Sequence, residues 1–351
     1  MEFSFSAASI RKLYGLLYKS NNILIISHTN PDGDAIGSVK AIKGYLSSKG
    51  YNASIAIPND CPDYLCFMDP DREIMVWNKE PERVNSFIRS SDLIILADFN
   101  SLSRIDDMES EVKASSACKI LLDHHPSYEN GSFDMVFSQP ALSSTCELLY
   151  WLFAGLDKYE RRDRGLKRSI PLSPETCESL YIGLMTDTNN FSNSVIPSTF
   201  KMASDLLAMG VDKERLQHLV FGGFSENRMR LMGHLLLNKM VVLPEYQAGY
   251  ILLSLQEQKK FGFTDGDSEG FVNMPLNIKG INISALFTEN ESNIRVSLRS
   301  LNNFSVNNLA KRFFNGGGHE KAAGGKLFIS LNDIPEYFKT SLKKSLECEN
   351  K

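Results

Sequence analysis

Three short apolar runs in the first half of the chain most constrain what it can fold into. They are ILII at 23–26, DLIILAD at 92–98 and KILLD at 119–123, and acidic or histidine side chains end or follow each of them. Continuous runs of three to five aliphatic residues, separated by helical patterns, are typical of strands buried on both faces of a parallel sheet. Parallel strands need helical crossovers, so the runs predict an α/β domain.

The segments around these runs predict the rest of this domain. A further strand is predicted over Ala53–Ile57, and a helix over 35–49 that stops at Gly50. Ser173 followed by Pro and Glu is a good helix start, so a second helix is predicted to run to about Met185. The strongly charged segment 157–171 predicts a solvated surface loop.

Beyond about residue 240 the pattern changes, and a smaller α+β domain is predicted there. Two helices are predicted near 305–314 and 333–347, together with strands at 249–253, 281–287, 294–298 and 326–329. The predicted organisation is therefore a first domain over 1–218, a linker helix over 219–238, and a second domain over 239–351, with a cleft between the domains.

Charge and composition limit the partners. The chain has 38 Lys and Arg against 42 Asp and Glu, which argues against a protein that coats long duplex DNA. A small anionic substrate is still compatible, because bound metal ions bring their own positive charge. The N-terminus lacks the pattern of a signal peptide, no apolar run approaches the ~20 residues that span a bilayer, and the cysteines are scattered. We therefore expect a cytoplasmic protein without a membrane partner.

Acidic and imidazole side chains cluster where the predicted strands and the second helix end. The set is His28, Asp32, Asp34, Asp98, Asp123, His124, His125 and Asp187. Strand carboxyl ends form the ligand crevice of an open parallel sheet, so we expect these groups to meet. Crowded carboxylates repel one another unless cations lie between them. Mixed His and Asp ligands suit Mn²⁺, Zn²⁺ or Fe²⁺ better than Mg²⁺ alone. The number of acidic ligands exceeds the need of one ion, so a pair of ions bridged by one carboxylate is expected.

The motifs that carry these residues resemble those of one family. SHTNPDGDAIGS, the Asp of LADFN, LLDHHP and GLMTDTNNF are similar to motifs I to IV of the DHH phosphoesterase superfamily. IRVSLRS followed by GGGHEKAAGG is similar to the DHHA1 domain that accompanies it. The resemblance covers nearly the whole chain, and within the superfamily it is nearest to the bacterial group of oligoribonucleases that act on very short RNA and on pAp.

The resemblance implies a role for each site residue. It assigns one Mn²⁺ to His28, Asp32 and Asp98, and the other to Asp34, Asp98, His124 and Asp187. Asp98 is implied to bridge the ions, and Asp123 to orient a ligand imidazole by a hydrogen bond. His125 is implied to face the substrate phosphate, which makes Asp98 and His125 the expected catalytic residues. Mg²⁺, Fe²⁺ or Co²⁺ are the expected substitutes for Mn²⁺.

The implied reaction is phosphoester hydrolysis by a water molecule activated by two metal ions. The implied substrates are short single-stranded oligonucleotides, which would yield mononucleotides, and pAp, which would yield AMP and phosphate. A cleft between two domains would admit only a short strand, and a homodimer is the candidate assembly.

The second domain is expected to choose the substrate. Its candidate contacts are Arg299, Ser300, Gly316, Gly317, Gly318 and His319. The glycines allow backbone amides to approach a phosphate closely, and the planar guanidinium of Arg299 matches phosphate geometry. A glycine triplet is by itself more often a flexible turn.

Two alternatives stay open at this point. The same metal core would serve an exopolyphosphatase or pyrophosphatase that acts on inorganic chains. A nucleotide-binding regulatory protein with a relic site is the alternative of another class, although no ligand position is substituted.

Overall fold

The chain forms two compact units, residues 1–223 and residues 224–351. A computed structural model describes residues 3–165, 171–264, 266–301 and 304–349. The predicted linker segment 219–238 spans the end of the last helix of the first unit and the first helix of the second.

The first unit contains six strands and eight helices within the described residues. The strands are β1 (Ile23–Ile26), β2 (Ala53–Ile57), β3 (Ile74–Val76), β4 (Leu93–Ala97), β5 (Cys118–Asp123) and β6 (Met135–Ser138). The helices are α1 (Ala7–Lys19), α2 (Gly33–Ser48), α3 (Pro81–Ser90), α4 (Met108–Ala114), α5 (Thr145–Arg164), α6 (Pro174–Asp187), α7 (Pro197–Ala208) and α8 (Lys213–Phe221).

The strands form one parallel sheet in the order β3-β2-β1-β4-β5-β6. Alternate residues of β1 enter different cores: Ile23 and Ile25 pack with α1, α2 and α5, whereas Leu24 and Ile26 pack with α3 and α4. Helices therefore cover both faces of the sheet, and the predicted α/β fold with a parallel sheet flanked by helices is confirmed. The strand order reverses between β1 and β4, which is where open parallel sheets hold their ligands.

Helices α2 and α6 pack closely because glycines face the contact. A Cβ atom added at Gly37 would lie 2.6 Å from the Ser179 carbonyl oxygen, and one at Gly33 would overlap the Thr186 side chain. On α6, a Cβ at Gly183 would lie 2.5 Å from Asp34 Oδ1 and would overlap Cys146 Sγ. These close approaches bring the beginning of α2 beside the end of α6.

Helix α5 is longer than the sequence predicts. The charged segment expected to be a loop from residue 157 continues the helix to Arg164, and Gly165 ends it in the left-handed region at φ 67°. Ion pairs four residues apart, Asp157–Arg161 and Glu160–Arg164, each at 3.3 Å, line this last part. The prediction of a loop was wrong for residues 157–164, because charge at helical spacing is also compatible with a solvated helix face. Residues 166–170 of that segment lie outside the described part of the chain.

The second unit is built on a mixed sheet. Its strands are β7 (Met240–Leu243), β8 (Ala248–Leu253), β9 (Ile283–Glu289), β10 (Ile294–Ser300), β11 (Gly317–Gly318) and β12 (Ala322–Leu327). Its helices are α9 (Glu226–Asn238), α10 (Leu255–Phe261), α11 (Val306–Phe313) and α12 (Ile334–Glu349). The strand order is β11-β12-β10-β9-β8-β7, with only β8 and β9 parallel. One face packs on α11 and α12, and the other on α9, which confirms a smaller domain of α+β type.

A buried carboxylate anchors the start of α10. Glu257 accepts hydrogen bonds from Ser254 Oγ (2.7 Å) and Ser254 N (3.0 Å), from Lys239 Nζ (2.8 Å) and from His234 Nε2 (3.1 Å). Burial alone would raise the pKa of Glu257, but the hydrogen bonds from these neighbours outweigh it and lower the pKa to about 2. The ionised form of Glu257 therefore stabilises the second unit.

Across the described ranges, no helix combines the length and the apolar character needed to cross a lipid bilayer.

Candidate active site

The predicted metal-ligating residues of the first unit meet at the carboxyl edge of its sheet. His28 lies two residues beyond β1, Asp98 directly follows β4, and Asp123 ends β5. His124 and His125 come next along the chain, while Asp34 lies in the first turn of α2 and Asp187 ends α6. Because β1 and β4 are neighbours at the reversal of strand order, this is the position expected for a ligand site.

Three groups of side chains place their ligand atoms close together. Within each group, one ligand atom per residue lies within 4.8 Å of the others. The groups are His28, Asp32 and Asp98; Asp34, His124 and Asp187; and Asp98, His124 and His125. Asp98 belongs to the first and the third group, and His124 to the second and the third, so these two residues connect the groups.

The backbone of Asp98 is held in an uncommon conformation. Its φ of 68° lies in the left-handed region, which costs a residue with a Cβ about 1 kcal/mol or more. Its N–H donates to the Leu122 carbonyl (3.0 Å), which ties the end of β4 to β5. The carboxylate then lies between two imidazoles, with Oδ2 3.6 Å from His28 Nε2 and Oδ1 3.9 Å from His124 Nε2. Such local strain is typical of functional positions.

The carboxylates of the site are buried and crowded. Burial, together with the charges of Asp34 and Asp32, raises the pKa of Asp98 well above its usual range. Burial and the charge of Asp187 raise the pKa of Asp34 to about 7. Cations placed among these carboxylates would remove the repulsion, so the charge distribution fits bound metal ions.

The His28 ring is in the form that a metal ligand needs. Burial lowers the pKa of His28, so its neutral form is favoured. Its Nδ1 lies 2.9 Å from the Thr29 carbonyl oxygen, which can only accept a hydrogen bond, and Nδ1 therefore carries the proton. The lone pair is then on Nε2, the atom that faces Asp98. The ring also lies near a cation, since Arg104 Nη2 is 3.4 Å from Nδ1.

The His124 ring pairs with the end of α6. Its Nε2 lies 3.1 Å from Asp187 Oδ2. Burial lowers the pKa of His124, but the hydrogen bond and charge of Asp187, with the charges of Asp34 and Asp123, outweigh it and raise the pKa to about 10. A cation bound here would take the place of the Nε2 proton, because a metal binds the neutral ring.

The His125 ring is oriented by a buried carboxylate. Asp123 is fully buried, and its Oδ1 lies 2.6 Å from His125 Nδ1. The side chain of His125 is 22% exposed, so this ring reaches the surface of the site. From the sequence, Asp123 is expected to orient an imidazole that binds metal, whereas its hydrogen-bond partner in the structure is His125, the imidazole expected to face the substrate.

Comparisons with known proteins identify the family to which this chain belongs. Residues 22–184 match the DHH family, N-terminal domain, and residues 247–343 match the DHHA1 domain. The crystal structure of an exopolyphosphatase-related protein from Bacteroides fragilis has a TM-score of 0.91 and 36% identity, and the match covers 99% of this chain and 98% of that one. This chain belongs to the DHH family. Its predicted family membership is confirmed, as is the presence of a DHHA1 domain.

Two relatives that are named as enzymes match most of this chain. The probable bifunctional oligoribonuclease and PAP phosphatase NrnA of Streptococcus mutans is 27% identical over 92% of this chain and 96% of that protein. The bifunctional oligoribonuclease and PAP phosphatase NrnA of Bacillus subtilis is 26% identical over 88% of this chain and 90% of that protein. The predicted class of enzyme, a hydrolase that acts on phosphoester bonds, is confirmed.

In the DHHA1 domain, two of the predicted substrate contacts, Arg299 and His319, both lie next to Ala322 of β12. Arg299 on β10 pairs with Ala322 on β12, and His319 N donates to the Ala322 carbonyl (2.7 Å) in the turn between β11 and β12. Arg299 is half-buried, and burial lowers the pKa of its guanidinium while the charge of Glu269 opposes the shift.

Arg299 Nη1 donates to the Leu298 carbonyl (2.9 Å), and three of the other predicted contacts of the DHHA1 domain also form hydrogen bonds within the domain. Ser300 is buried, and its hydroxyl donates to the Phe304 carbonyl (2.7 Å). Gly316 N donates to the Ala310 carbonyl (3.3 Å), and Gly318 N donates to Asn307 Oδ1 (3.1 Å). A Cβ at Gly316 would overlap the Gly324 carbonyl, so close strand packing by itself requires glycine there.

The first turn of α5 contacts two carboxylates of the site and was not predicted from the sequence as part of it. Thr145 Oγ1 donates to Asp98 Oδ1 (2.9 Å), and the N–H groups of Thr145 and Cys146 donate to Asp34 at 2.6 and 2.9 Å. Ser144 with Glu147 three residues later is a helix-start signal that predicts α5. No local signal predicts contacts that span 47 residues to Asp98 and more than a hundred to Asp34.

Proposed function

We propose that this chain is a Mn²⁺-dependent phosphoesterase that hydrolyses short oligonucleotides to mononucleotides and pAp to AMP and phosphate. The observation that carries the proposal is the crowding of buried carboxylates and imidazoles around Asp98 where the strand order reverses. The names of the two NrnA relatives support the choice of substrates. A cytoplasmic location and a preference for short single strands over long duplexes belong to the same proposal.

We assign the metal ligands from these groups. One ion would be held by His28, Asp32 and Asp98, which form one of the groups. The other would be held by Asp34, His124 and Asp187, which form a second group, together with Asp98, whose Oδ1 lies 3.9 Å from His124 Nε2. When bound, such a pair of ions supplies a nucleophilic water at neutral pH and neutralises charge on the phosphate. The mixture of imidazole and carboxylate favours Mn²⁺, with Mg²⁺, Fe²⁺ and Co²⁺ as weaker substitutes.

His125 is the proposed proton donor to the leaving oxygen. Asp123 accepts a hydrogen bond from His125 Nδ1, which fixes the ring and leaves Nε2 to carry the transferable proton. Asp98 is the proposed bridging ligand of the two ions. Its two carboxylate oxygens face different imidazoles, since Oδ2 lies near His28 and Oδ1 lies near His124.

Arg104 and the DHHA1 residues are the proposed anion contacts. The Arg104 guanidinium lies beside His28 at the edge of the metal-ligand groups, and a planar guanidinium suits phosphate oxygens. In the DHHA1 domain, we assign substrate binding to Arg299 and His319, which both lie next to Ala322 of β12. The remaining contacts predicted there, Ser300 and Gly316 to Gly318, would contribute chiefly by shaping the backbone.

A second candidate function is hydrolysis of inorganic polyphosphate. It is favoured by the 36% identity to the exopolyphosphatase-related protein of Bacteroides fragilis. The metal-ligand groups would serve either substrate, so the distinction depends on the groups that bind the rest of the substrate.

A substrate panel tests the proposal. Purified protein with Mn²⁺ is given pApA, a five-nucleotide RNA, pAp or tripolyphosphate at equal concentration, and the products are separated by chromatography. We expect mononucleotide from pApA and phosphate from pAp, with little phosphate from tripolyphosphate. Asp98→Ala should abolish both turnover and Mn²⁺ binding, whereas Asp71→Ala, at an exposed position outside the site, should change neither.

Three results would overturn the proposal. Fast hydrolysis of tripolyphosphate with inert nucleotides would establish the second candidate. Nucleotide binding without turnover of any substrate, together with little bound Mn²⁺, would indicate a regulatory protein with a relic site. Near-normal kcat in Asp98→Ala would show that the site itself is wrongly assigned.

A further inference from the structure

The first turn of α5 contacts carboxylates from two separate parts of the site. Thr145 is fully buried, and its hydroxyl donates to Asp98 Oδ1 (2.9 Å) while its N–H donates to Asp34 Oδ2 (2.6 Å). The N–H of Cys146 donates to the other oxygen of Asp34 at 2.9 Å. One residue therefore joins the carboxylate after β4 to the carboxylate in the first turn of α2.

These hydrogen bonds fix how the carboxylates are turned. The first N–H groups of a helix have no partner within the helix, and here Asp34 supplies the acceptor. Hydrogen bonds to an ionised acceptor are stronger than neutral ones, and the positive end of a helix favours negative charge. Each donor also occupies one lone-pair direction on its carboxylate oxygen. The remaining lone pairs of Asp34 and Asp98 are thereby held in one orientation before any cation arrives.

The buried carboxylate of Glu147 also holds the first turn of α5 in place. Glu147 is fully buried and accepts four hydrogen bonds. The donors are Ser143 N (3.0 Å), Ser143 Oγ (2.6 Å), Ser198 Oγ (2.6 Å) and Thr199 Oγ1 (2.9 Å). Since Ser198 and Thr199 lie in the first turn of α7, Glu147 ties the beginnings of two helices together. The segment that carries Thr145 is thus held by a further set of hydrogen bonds besides those to Asp34 and Asp98.

We propose that Thr145 is a positioning residue that orients Asp98 and Asp34 for divalent-cation binding, with Glu147 holding its turn in place. The inference rests on the proposed metal role of the two aspartates. Residues that orient metal ligands by hydrogen bonds typically change metal affinity by ~10- to 100-fold when they are removed. Thr145 differs from such residues in one respect: it acts on carboxylates of two ligand groups at once.

Two variants of Thr145 separate positioning from packing. Thr145→Val keeps the size and branching of the side chain but removes the hydroxyl, whereas Thr145→Ser keeps the hydroxyl and removes the methyl group. We expect Thr145→Val to weaken Mn²⁺ binding by ~10- to 100-fold in calorimetric titrations of the purified full chain. Thr145→Ser should stay within about threefold of the unchanged protein, because its hydroxyl can still donate to Asp98. If Thr145 acted only by packing, Thr145→Ser would weaken Mn²⁺ binding more than Thr145→Val.

Thr264→Val is the matched control. Thr264 Oγ1 donates to Asp267 Oδ2 at 3.1 Å, which is the same type of bond, but it lies in the DHHA1 domain. Its loss should leave Mn²⁺ affinity unchanged. Thermal unfolding in the presence of a chelator shows whether each variant is folded, and the Thr145→Ser titration decides the matter if Thr145→Val does not fold.

The outcomes distinguish this inference from the proposed function. If the unchanged protein binds no Mn²⁺, the metal role itself fails. If it binds Mn²⁺, and Asp98→Asn abolishes binding while Thr145→Val binds as tightly as the unchanged protein, the metal role stands and the positioning role of Thr145 is refuted. Weaker binding in Thr145→Ser than in Thr145→Val refutes it as well.

Discussion

Replacing Gly183 by Ala should damage the metal-ligand groups through a single methyl group. Gly183 lies on α6, and an added Cβ would overlap Cys146 Sγ and would lie 2.5 Å from Asp34 Oδ1 and 2.9 Å from Cys146 Cβ. Ordinary contacts between such atoms begin near 3.5 Å, so a displacement of about 1 Å is needed. Asp34 cannot yield easily, because two N–H groups of α5 hold its carboxylate.

The size of the effect follows from two opposing contributions. In a helix interior, Gly to Ala is intrinsically favourable by about 0.5–1 kcal/mol. Overpacking of a buried contact costs about 1–3 kcal/mol and outweighs this gain. We therefore expect a net loss of about 1–2 kcal/mol in the free energy of unfolding, or a fall in Tm of roughly 2–8 °C for a unit of this size. Displacement of Asp34 should also weaken Mn²⁺ binding by at least ~10-fold.

The matched control is Gly15→Ala on α1. A Cβ at Gly15 meets no atom within 4 Å, so the same substitution in the same unit should raise Tm slightly. Differential scanning calorimetry of the chelator-treated protein and calorimetric Mn²⁺ titration measure both quantities. If Gly183→Ala shows the Tm and the Mn²⁺ affinity of the unchanged protein, the close packing of α6 against Asp34 is refuted.

Three further predictions concern other parts of the chain. Glu257→Gln should lower the stability of the DHHA1 domain at pH 7 by about 3 kcal/mol, since the pKa is lowered from 4.5 to about 2. Only the ionised carboxylate of Glu257 provides this stability, so the difference in stability between Glu257→Gln and the unchanged protein should vanish as the pH falls from 4.5 to 2. Amide exchange over 248–261 measures that difference. A difference in stability that persists at pH 2 contradicts the assignment. Glu147→Leu should lower the free energy of unfolding by at least ~3 kcal/mol in urea titrations, since four donors lose a buried acceptor. Glu147→Gln should cost much less, and equal losses would argue against the hydrogen-bond network. Arg299→Ala should raise KM for pApA by ~10-fold with Mn²⁺ content unchanged, and lost metal would refute the division of labour between the domains.

The sequence predicted the central strands and the candidate site for the same physical reason. β1, β4 and β5 are buried on both faces, so they appear as continuous apolar runs, and the site residues follow from where those runs end. The edge strands β3 and β6 were not predicted. β3 is only three residues long, and β6, although as long as β1, alternates buried and half-buried residues, so neither contains a continuous run of four buried aliphatic residues.

The DHHA1 domain shows a different limit. The last main strand was predicted at 326–329, but β12 covers Ala322–Leu327 and includes Gly324 and Gly325. Small residues have low strand propensity, so the sequence of 322–325 does not indicate a strand. A Cβ at Gly325 would overlap the Phe314 carbonyl, so the glycine is there because another backbone passes very near. Such a requirement is visible only once the tertiary neighbours are known.

The groups around Asp98 come from distant parts of the chain, with about 160 residues between His28 and Asp187. In polymer terms, cations bound by these groups, as proposed above, would act as a reversible cross-link. Closing a loop of this length by a covalent link removes unfolded-chain entropy worth about 4–5 kcal/mol. Ligands that bind only the folded state also shift unfolding by mass action. The supply of divalent cations would then govern the lifetime of the DHH unit against proteases as well as its rate of turnover.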